Sequence, residues 1–328
     1  MILQHLYSGH TFRVLDVLWR FQIGDLGVRI FYVISGFLIT SLMRKEFLKF
    51  GRINLRDFYI RRVLRIFPAY YFLLAVLAIA ALFGVQTLSI QDFLPPIFYL
   101  SNYFPTPFVM AHTWSLAVEE QFYLLWPVVV VFLGWRLAAF FAAILCIFAP
   151  LLRTWVTLST DQPDTLWSQF QHAGDPIAWG CLYALAREGK WLPRFSAYMY
   201  AVVGGITSLL LGFMATAHAW PLFWNSIGIV VANLAVVVVL HCALEAPKLA
   251  QHRLLNLRWV MWVGTLSYSL YLWQQVFIYG GFRLAAPMNV LAIVLCAVAS
   301  QYLIERPFLA LKDKIDRRGG VAGKHALS

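Results

Sequence analysis

The chain has 328 residues, 61% of them hydrophobic and only 12% charged, and a formal net charge of +11. A soluble chain of this length carries about 25% charged residues, so a water-soluble globular fold is excluded and a protein that crosses a membrane several times is expected. The basic residues fall in short clusters between apolar runs, which suits phospholipid headgroups and a cytoplasmic face and argues against nucleic acid as a partner.

The chain opens on a short apolar stretch, Met1 to Tyr7, followed by His10. It is too short to span a bilayer and reads as the end of a helix whose beginning is missing. His5 and His10 stand there as interfacial or catalytic candidates. Residues 25–43 form a span; its Ser35-Gly36 pair permits close helix approach, and its intramembrane Arg29 needs a partner. The next stretch is the most basic, with Arg44, Lys45, Lys49, Arg52, Arg56, Arg61, Arg62 and Arg65 against Glu46 and Asp57. By the positive-inside rule it is cytoplasmic. Arg62 and Arg65, three residues apart on a helix, share a face and make a fork suited to phosphate.

Residues 66–85 then cross outward, and 86–111, rich in proline and aromatics, are expected to form an external loop. Spans follow at 114–133 and 137–152, with Trp135-Arg136 at the inner interface and an external loop at 153–171. Further spans are expected at 172–186, 195–215, 223–242, 260–279 and 288–304. The basic clusters all fall on one side of this alternation. Cys146, Cys181, Cys242 and Cys296 each sit alone in an apolar segment, with no spacing for a disulfide or a metal. No cleavable signal peptide and no appended soluble domain is expected. The fold expectation is therefore all-α: a polytopic transmembrane helical bundle with nine complete spans plus a truncated first helix, ten if the missing half is restored. It comprises one transmembrane domain over 1–311 and a basic cytoplasmic tail over 312–328.

The most informative stretch is His112-Thr113-Trp114-Ser115-Leu116-Ala117-Val118-Glu119-Glu120-Gln121-Phe122-Tyr123-Leu124-Leu125-Trp126-Pro127. An acidic side chain at bilayer depth costs about 2.5–3.5 kcal/mol, so such residues face a cavity or a partner and mark function. Helical spacing puts Glu119 on a face with Ser115, Phe122 and Trp126, and Glu120 on a face with Leu116, Tyr123 and Pro127. A blander reading makes the two a charge pair at a helix N-terminus.

Taken with Phe31-Tyr32-Val33-Ile34-Ser35-Gly36-Phe37-Leu38-Ile39-Thr40, with 58–70 (FYIRRVLRIFPAY), with Ser267-Tyr268-Ser269-Leu270-Tyr271-Leu272-Trp273 and with Glu305-Arg306-Pro307-Phe308, this stretch resembles the acyltransferase 3 family. Those are membrane-embedded enzymes that O-acylate cell-surface carbohydrates. The resemblance implies a bacterial inner-membrane protein with a cytoplasmic C-terminus. Its co-substrate would be acyl-CoA, typically acetyl-CoA, with no metal, and its acceptor a carbohydrate or lipid-linked glycan hydroxyl on the other side. The family's arginine and histidine, ten residues apart on the first helix, map the histidine to His5, with His10 the fallback; the arginine would precede Met1. The R-x-x-R pair maps to Arg62 and Arg65, and the glutamate to Glu119 or Glu120. Many relatives carry histidine where this chain has Gln274.

On this reading His5 takes the acceptor proton and Glu120 or Glu119 orients it. Arg62 and Arg65, helped by Arg61, hold the CoA phosphates, while Trp114, Ser115, Tyr123 and His112 face the acceptor. No nucleophilic Ser or Cys motif stands out, which favours direct transfer. Two alternatives stand beside it: a transporter or exporter using Asp25, Arg29, Glu119, Glu120 and Asp175 as an ion path, and an inactive, N-terminally truncated relative.

Overall fold

The computed structural model describes residues 23–159, 167–189, 196–214, 221–245, 256–279 and 286–314. Among them the regular structure is helical throughout: α1 (Ile23–Phe50), α2 (Leu55–Leu82), α3 (Ile90–Ile97), α4 (Thr113–Ser159), α5 (Asp175–Glu188), α6 (Ala197–Met214), α7 (Ile229–Glu245), α8 (Arg258–Tyr279) and α9 (Ala286–Ala299). A π-helical turn, Trp224–Gly228, leads into α7, and another, Ser300–Glu305, follows α9. Helices satisfy their backbone groups internally, which is what long apolar runs require in lipid. Among the described residues five helical stretches are long and apolar enough to cross a membrane. The expected stub before residue 23, the tail beyond 314 and both N-terminal histidines lie outside the described residues.

The described residues divide into two compact units, one built from those up to Arg44 together with those within Trp114–Trp262, the other from Lys45–Thr113 and those from Val263 onward. In the first, α1 and α5 run parallel and nearly touch. A Cβ on Gly36 would sit 1.9 Å from the Ile177 carbonyl oxygen, and one on Gly180 would sit 2.1 Å from that of Val33. The Ser35-Gly36 pair is thus the close approach its composition suggests. At the far ends Arg44 pairs with Glu188 at 3.3 Å and lies over the Trp135 ring at 5.1 Å, and Arg187 pairs with Glu245 at 2.8 Å. Residues expected at the inner interface therefore gather at one end of this unit.

Helix α4 continues where the sequence suggests two spans, but Gly134 breaks it, with φ 77 and ψ 168. That conformation is open only to glycine. The second half also runs further than expected, to Ser159. Arg153, read from sequence as the start of an external loop, lies inside the helix and is 1% exposed. Its neighbours Leu151 and Leu152 carry no signal of where the helix stops; the pairing of its charge, described below, holds it in.

In the second unit the segment 86–111 is not a plain external loop. A reciprocal Ser89/Asp92 capping box starts α3, which folds back along α2 until the Tyr70 hydroxyl donates to the Pro96 carbonyl and that of Tyr71 to Ile97, at 2.8 and 2.9 Å. Tyr70 lies about 18 Å before the end of α2 by helical rise. Tyr99, at φ 53, occupies the left-handed region. It is held there by stacking on Tyr70, ring centroids 4.6 Å apart, and on Phe67, 5.5 Å. Backbone outside regular helices must find other hydrogen-bond partners where it is buried. Here tight turns supply them, including Leu100 N–H to Pro95 O, Met110 N–H to Pro107 O and Thr113 N–H to Met110 O.

Candidate functional site

Within the first unit, α1 and α4 run side by side in the same direction. The Tyr32 hydroxyl donates to the Ser115 carbonyl at 2.8 Å, and one turn on, Ser35 Oγ donates to Glu119 Oε1 at 2.5 Å. Tyr123, one turn further along α4, also donates its hydroxyl to Glu119 Oε1. Glu119 is 3% exposed, whereas Glu120 is half-buried. The helical-face argument assigned Tyr123 to Glu120; its long side chain instead reaches back four residues to Glu119. Ser115 is buried with its carbonyl engaged by Tyr32, and Trp114 is half-buried.

A second buried carboxylate belongs to the same unit. Asp175 takes Arg153 Nη1 on Oδ1 at 2.7 Å and Nη2 on Oδ2 at 3.1 Å, and Asn233 Nδ2 on Oδ2 at 2.9 Å. Arg153 also donates to the carbonyls of His172 and Asn225. Arg29, which the sequence left in search of a counter-charge, finds Asp25 at 3.7 Å and the Trp224 ring at 6.0 Å. Sequence reasoning missed Arg153, Asn225 and Asn233. The signal was there: each is a polar side chain within or beside an apolar run, which is a mark of a buried partner.

In the second unit, the basic start of α2 divides its cations. Arg61 is committed to Glu46 at 2.9 Å, Arg62 lies against the Phe58 ring at 5.9 Å, and Arg65 is exposed. The π-turn after α9 packs on α2 and brings buried Glu305 within electrostatic reach of Arg65. Ser269 donates its hydroxyl to Glu305, and the Tyr268 hydroxyl donates to the Ile66 carbonyl at 2.9 Å. These two contacts tie the Ser-Tyr-Ser motif of α8 and the Glu-Arg-Pro motif to the arginine-bearing helix. Two turns along α8, Gln275 and Tyr271 grip His112 through hydrogen bonds. The sequence marked Gln274 and passed over its neighbour Gln275.

The first unit thus holds a hydroxyl-bound carboxylate; the second, taken by itself, holds a gripped imidazole and a cationic helix start beside a buried acid. Cys146, Cys181 and Cys242 are buried free thiols, as isolated residues in apolar runs should be.

Comparison with known proteins bears on this arrangement. Over 330 aligned residues the chain is 28% identical to the peptidoglycan O-acetyltransferase OatA of Listeria monocytogenes, covering 90% of this chain and 52% of that protein. It is also 28% identical, over 278 residues, to the O-acetyltransferase OatA of Staphylococcus aureus, covering 76% of this chain and 45% of the relative. The chain spans about half the length of the curated relatives it matches. No solved structure gives a significant match. The family model of an acyltransferase domain matches residues 3–304. With that match running from residue 3 into the π-turn after α9, the chain belongs to the acyltransferase 3 family.

Proposed function

We propose that this chain transfers an acetyl group from acetyl-CoA to a hydroxyl of a cell-envelope carbohydrate, with the glycan of peptidoglycan as the acceptor. The donor would enter from the cytoplasmic side of a bacterial inner membrane, where the C-terminus also lies. Support for the acceptor comes from the names of the relatives. The gathering of Arg44, Trp135, Arg187, Glu188 and Glu245 at one end of the first unit supports the orientation.

The observation that carries the reading is Glu119. A carboxylate kept almost wholly from solvent in an apolar helix, and bound by the hydroxyls of Ser35 and Tyr123, is a costly feature without a chemical use. In O-acyl transfer an imidazole removes the acceptor proton, and a carboxylate next to it orients the ring and stabilises its charged form. The sequence offers His5 or His10 for that imidazole, and Glu119, the more buried of the pair, is the carboxylate of choice over Glu120. Arg62 and Arg65 would hold the phosphates of CoA. Arg61 would stay bound to Glu46, and Glu305 would set the place of Arg65.

The transporter alternative needs Asp175 as a mobile ion's stepping stone. Asp175 is instead closed on both oxygens by Arg153 and Asn233, which disfavours it. The test is reconstitution of the chain in liposomes with acetyl-labelled acetyl-CoA and soluble peptidoglycan fragments. Label should appear as base-labile ester on the glycan, with one free CoA per ester. Donor consumption without ester, or uptake of glycan without donor consumption, would overturn the reading.

A further inference from the structure

Helices α2 and α3, both in the second unit, enclose an apolar groove of about 520 Å³, within the size range of sites that hold a small organic molecule. Its origin is local. Ala75, Ala78 and Ala81 stand three residues apart on α2 and line the groove, so one face of that helix carries nothing beyond Cβ. Opposite them lie Phe93 and Leu94 of α3. Tyr70 and Tyr71 fasten the end of α3 through the Pro96 and Ile97 carbonyls, and the turn after α2 fastens its start. Held at both ends, α3 spans the alanine face without filling it.

The rim is apolar as well: Leu82 and Ile90 are each 85% exposed. An exposed apolar cleft with an apolar rim is a surface for lipid or another apolar partner. Helix α2 is itself long and apolar enough to cross a membrane, and the groove follows its last turns, so what fills it in a bilayer is hydrocarbon. Helical spacing puts Ala78 about 140° round α2 from Arg65, which separates the groove from the cationic face.

One charge selects the lipid. From Ile66 to Ala111, Asp92 is the sole Asp, Glu, Lys or Arg. Ser89, which lines the groove, gives Asp92 Oδ2 its backbone N–H at 2.7 Å and its hydroxyl at 2.8 Å. Both bonds fall on one oxygen, and Oδ1 has no partner among the described residues. The N-terminal dipole of α3 offsets at most about half a charge, so the Ser89 end of the groove stays negative. An anionic headgroup is repelled there, and an ammonium is attracted.

We propose that the α2–α3 groove binds an acyl chain of a phospholipid whose headgroup carries an amine, phosphatidylethanolamine, with the ammonium at Asp92 Oδ1. This lipid site is independent of the acetyl-transfer reading.

The test reconstitutes the full chain in liposomes of equal parts palmitoyl-oleoyl phosphatidylethanolamine and phosphatidylglycerol, releases it into mild detergent and identifies the retained lipid by native mass spectrometry. The wild type should keep phosphatidylethanolamine over phosphatidylglycerol by about fivefold, the scale of one part-exposed ion pair. Asp92→Asn keeps an oxygen for the Ser89 donors but removes the charge; lipid should still be retained, with the preference down to about twofold or less. Ala78→Phe fills the groove and should cut retained lipid about tenfold. Should it fail to accumulate, Ala75→Leu, at an exposed position, makes the same test. A wild type that keeps no lipid or keeps both headgroups equally overturns the proposal, as does an unchanged preference in Asp92→Asn or undiminished lipid in the filled variant. Displacement of phosphatidylethanolamine by added polyprenyl phosphate overturns it too, and assigns the groove to a prenyl chain. No arm reads acetyl transfer, so failure here leaves the transferase reading standing.

Discussion

Two carboxylates are buried in the same unit, Asp175 at 0% and Glu119 at 3% exposure, and they are held in opposite ways. Asp175 is gripped on both oxygens by a guanidinium that also spans to two backbone carbonyls, and by an amide. Its charge is cancelled where it is made, and α4, α5 and α7 are tied together in the process. Glu119 has an oxygen bound by two hydroxyls from α1 and from its own helix. Hydroxyls stabilise a charge through a dipole and rotate freely about one bond, so they can follow a carboxylate whose partner changes during a reaction. The ion pair fastens the unit; in the transferase reading proposed above, the hydroxyl-bound acid is the one that takes part in chemistry.

The contrast breaks most visibly at Arg153. Arg153→Met leaves Asp175 with a buried, uncompensated charge, which costs about 3–5 kcal/mol, and the variant should lose its folded population in detergent thermal unfolding. Arg153→Met with Asp175→Leu should recover most of that loss, since a buried ion pair is replaceable by apolar side chains of similar size. A double variant no better than the single would mean the pair does more than fasten helices. Gly36→Val comes next. Its side chain would collide with backbone at Ile177, forcing α1 off α5 at a cost of about 1–3 kcal/mol or more, and Ser35 would leave Glu119 with it. Both unfolding temperature and acetyl transfer should drop. Glu119→Gln separates the two roles: shape and burial persist, so the unfolding midpoint should hold to within about 1 kcal/mol while transfer falls about 100-fold.

How much of this was legible beforehand follows the physics of each feature. The helical class is hydropathy, which a sequence carries openly. The Gly36 approach was readable because small residues have few other uses in a membrane helix. The doubling-back of 86–111 was not. Proline and aromatic residues suit an external loop as well as a chain that packs against α2, and only the Tyr70 and Tyr71 hydrogen bonds separate the two. Arg153 was placed in a loop for a similar reason: a charge at the end of an apolar run looks like an interface until its partner is known, and that partner lies elsewhere in the chain. At the site, motif spacing picked out Glu119, Glu120, Arg62, Arg65 and His112. It gave no sign that the two glutamates differ in surroundings, because the Ser35 hydroxyl bound to Glu119 lies 84 residues away in the chain.

The smallest predicted effects sharpen the comparison best, because they remove a single donor from each carboxylate. Asn233→Ala takes one amide from Asp175 and leaves the two-point contact with Arg153; Tyr123→Phe takes one hydroxyl from Glu119 and leaves that of Ser35. A hydrogen bond to a charged group is worth about 1.5–3 kcal/mol. If both carboxylates were structural, the two variants would lose similar stability and leave the turnover of the surviving protein alone. If the division drawn here holds, Asn233→Ala lowers the unfolding midpoint and keeps kcat, whereas Tyr123→Phe keeps most of the midpoint and lowers kcat about tenfold. Ser35→Ala should behave like Tyr123→Phe, and the two together should cost more than the sum of the singles, because the first loss leaves one hydroxyl to hold the acid and the second leaves neither. Strict additivity in kcat would show that the two hydroxyls act on the reaction separately, and would remove the reason for treating Glu119 as their common focus.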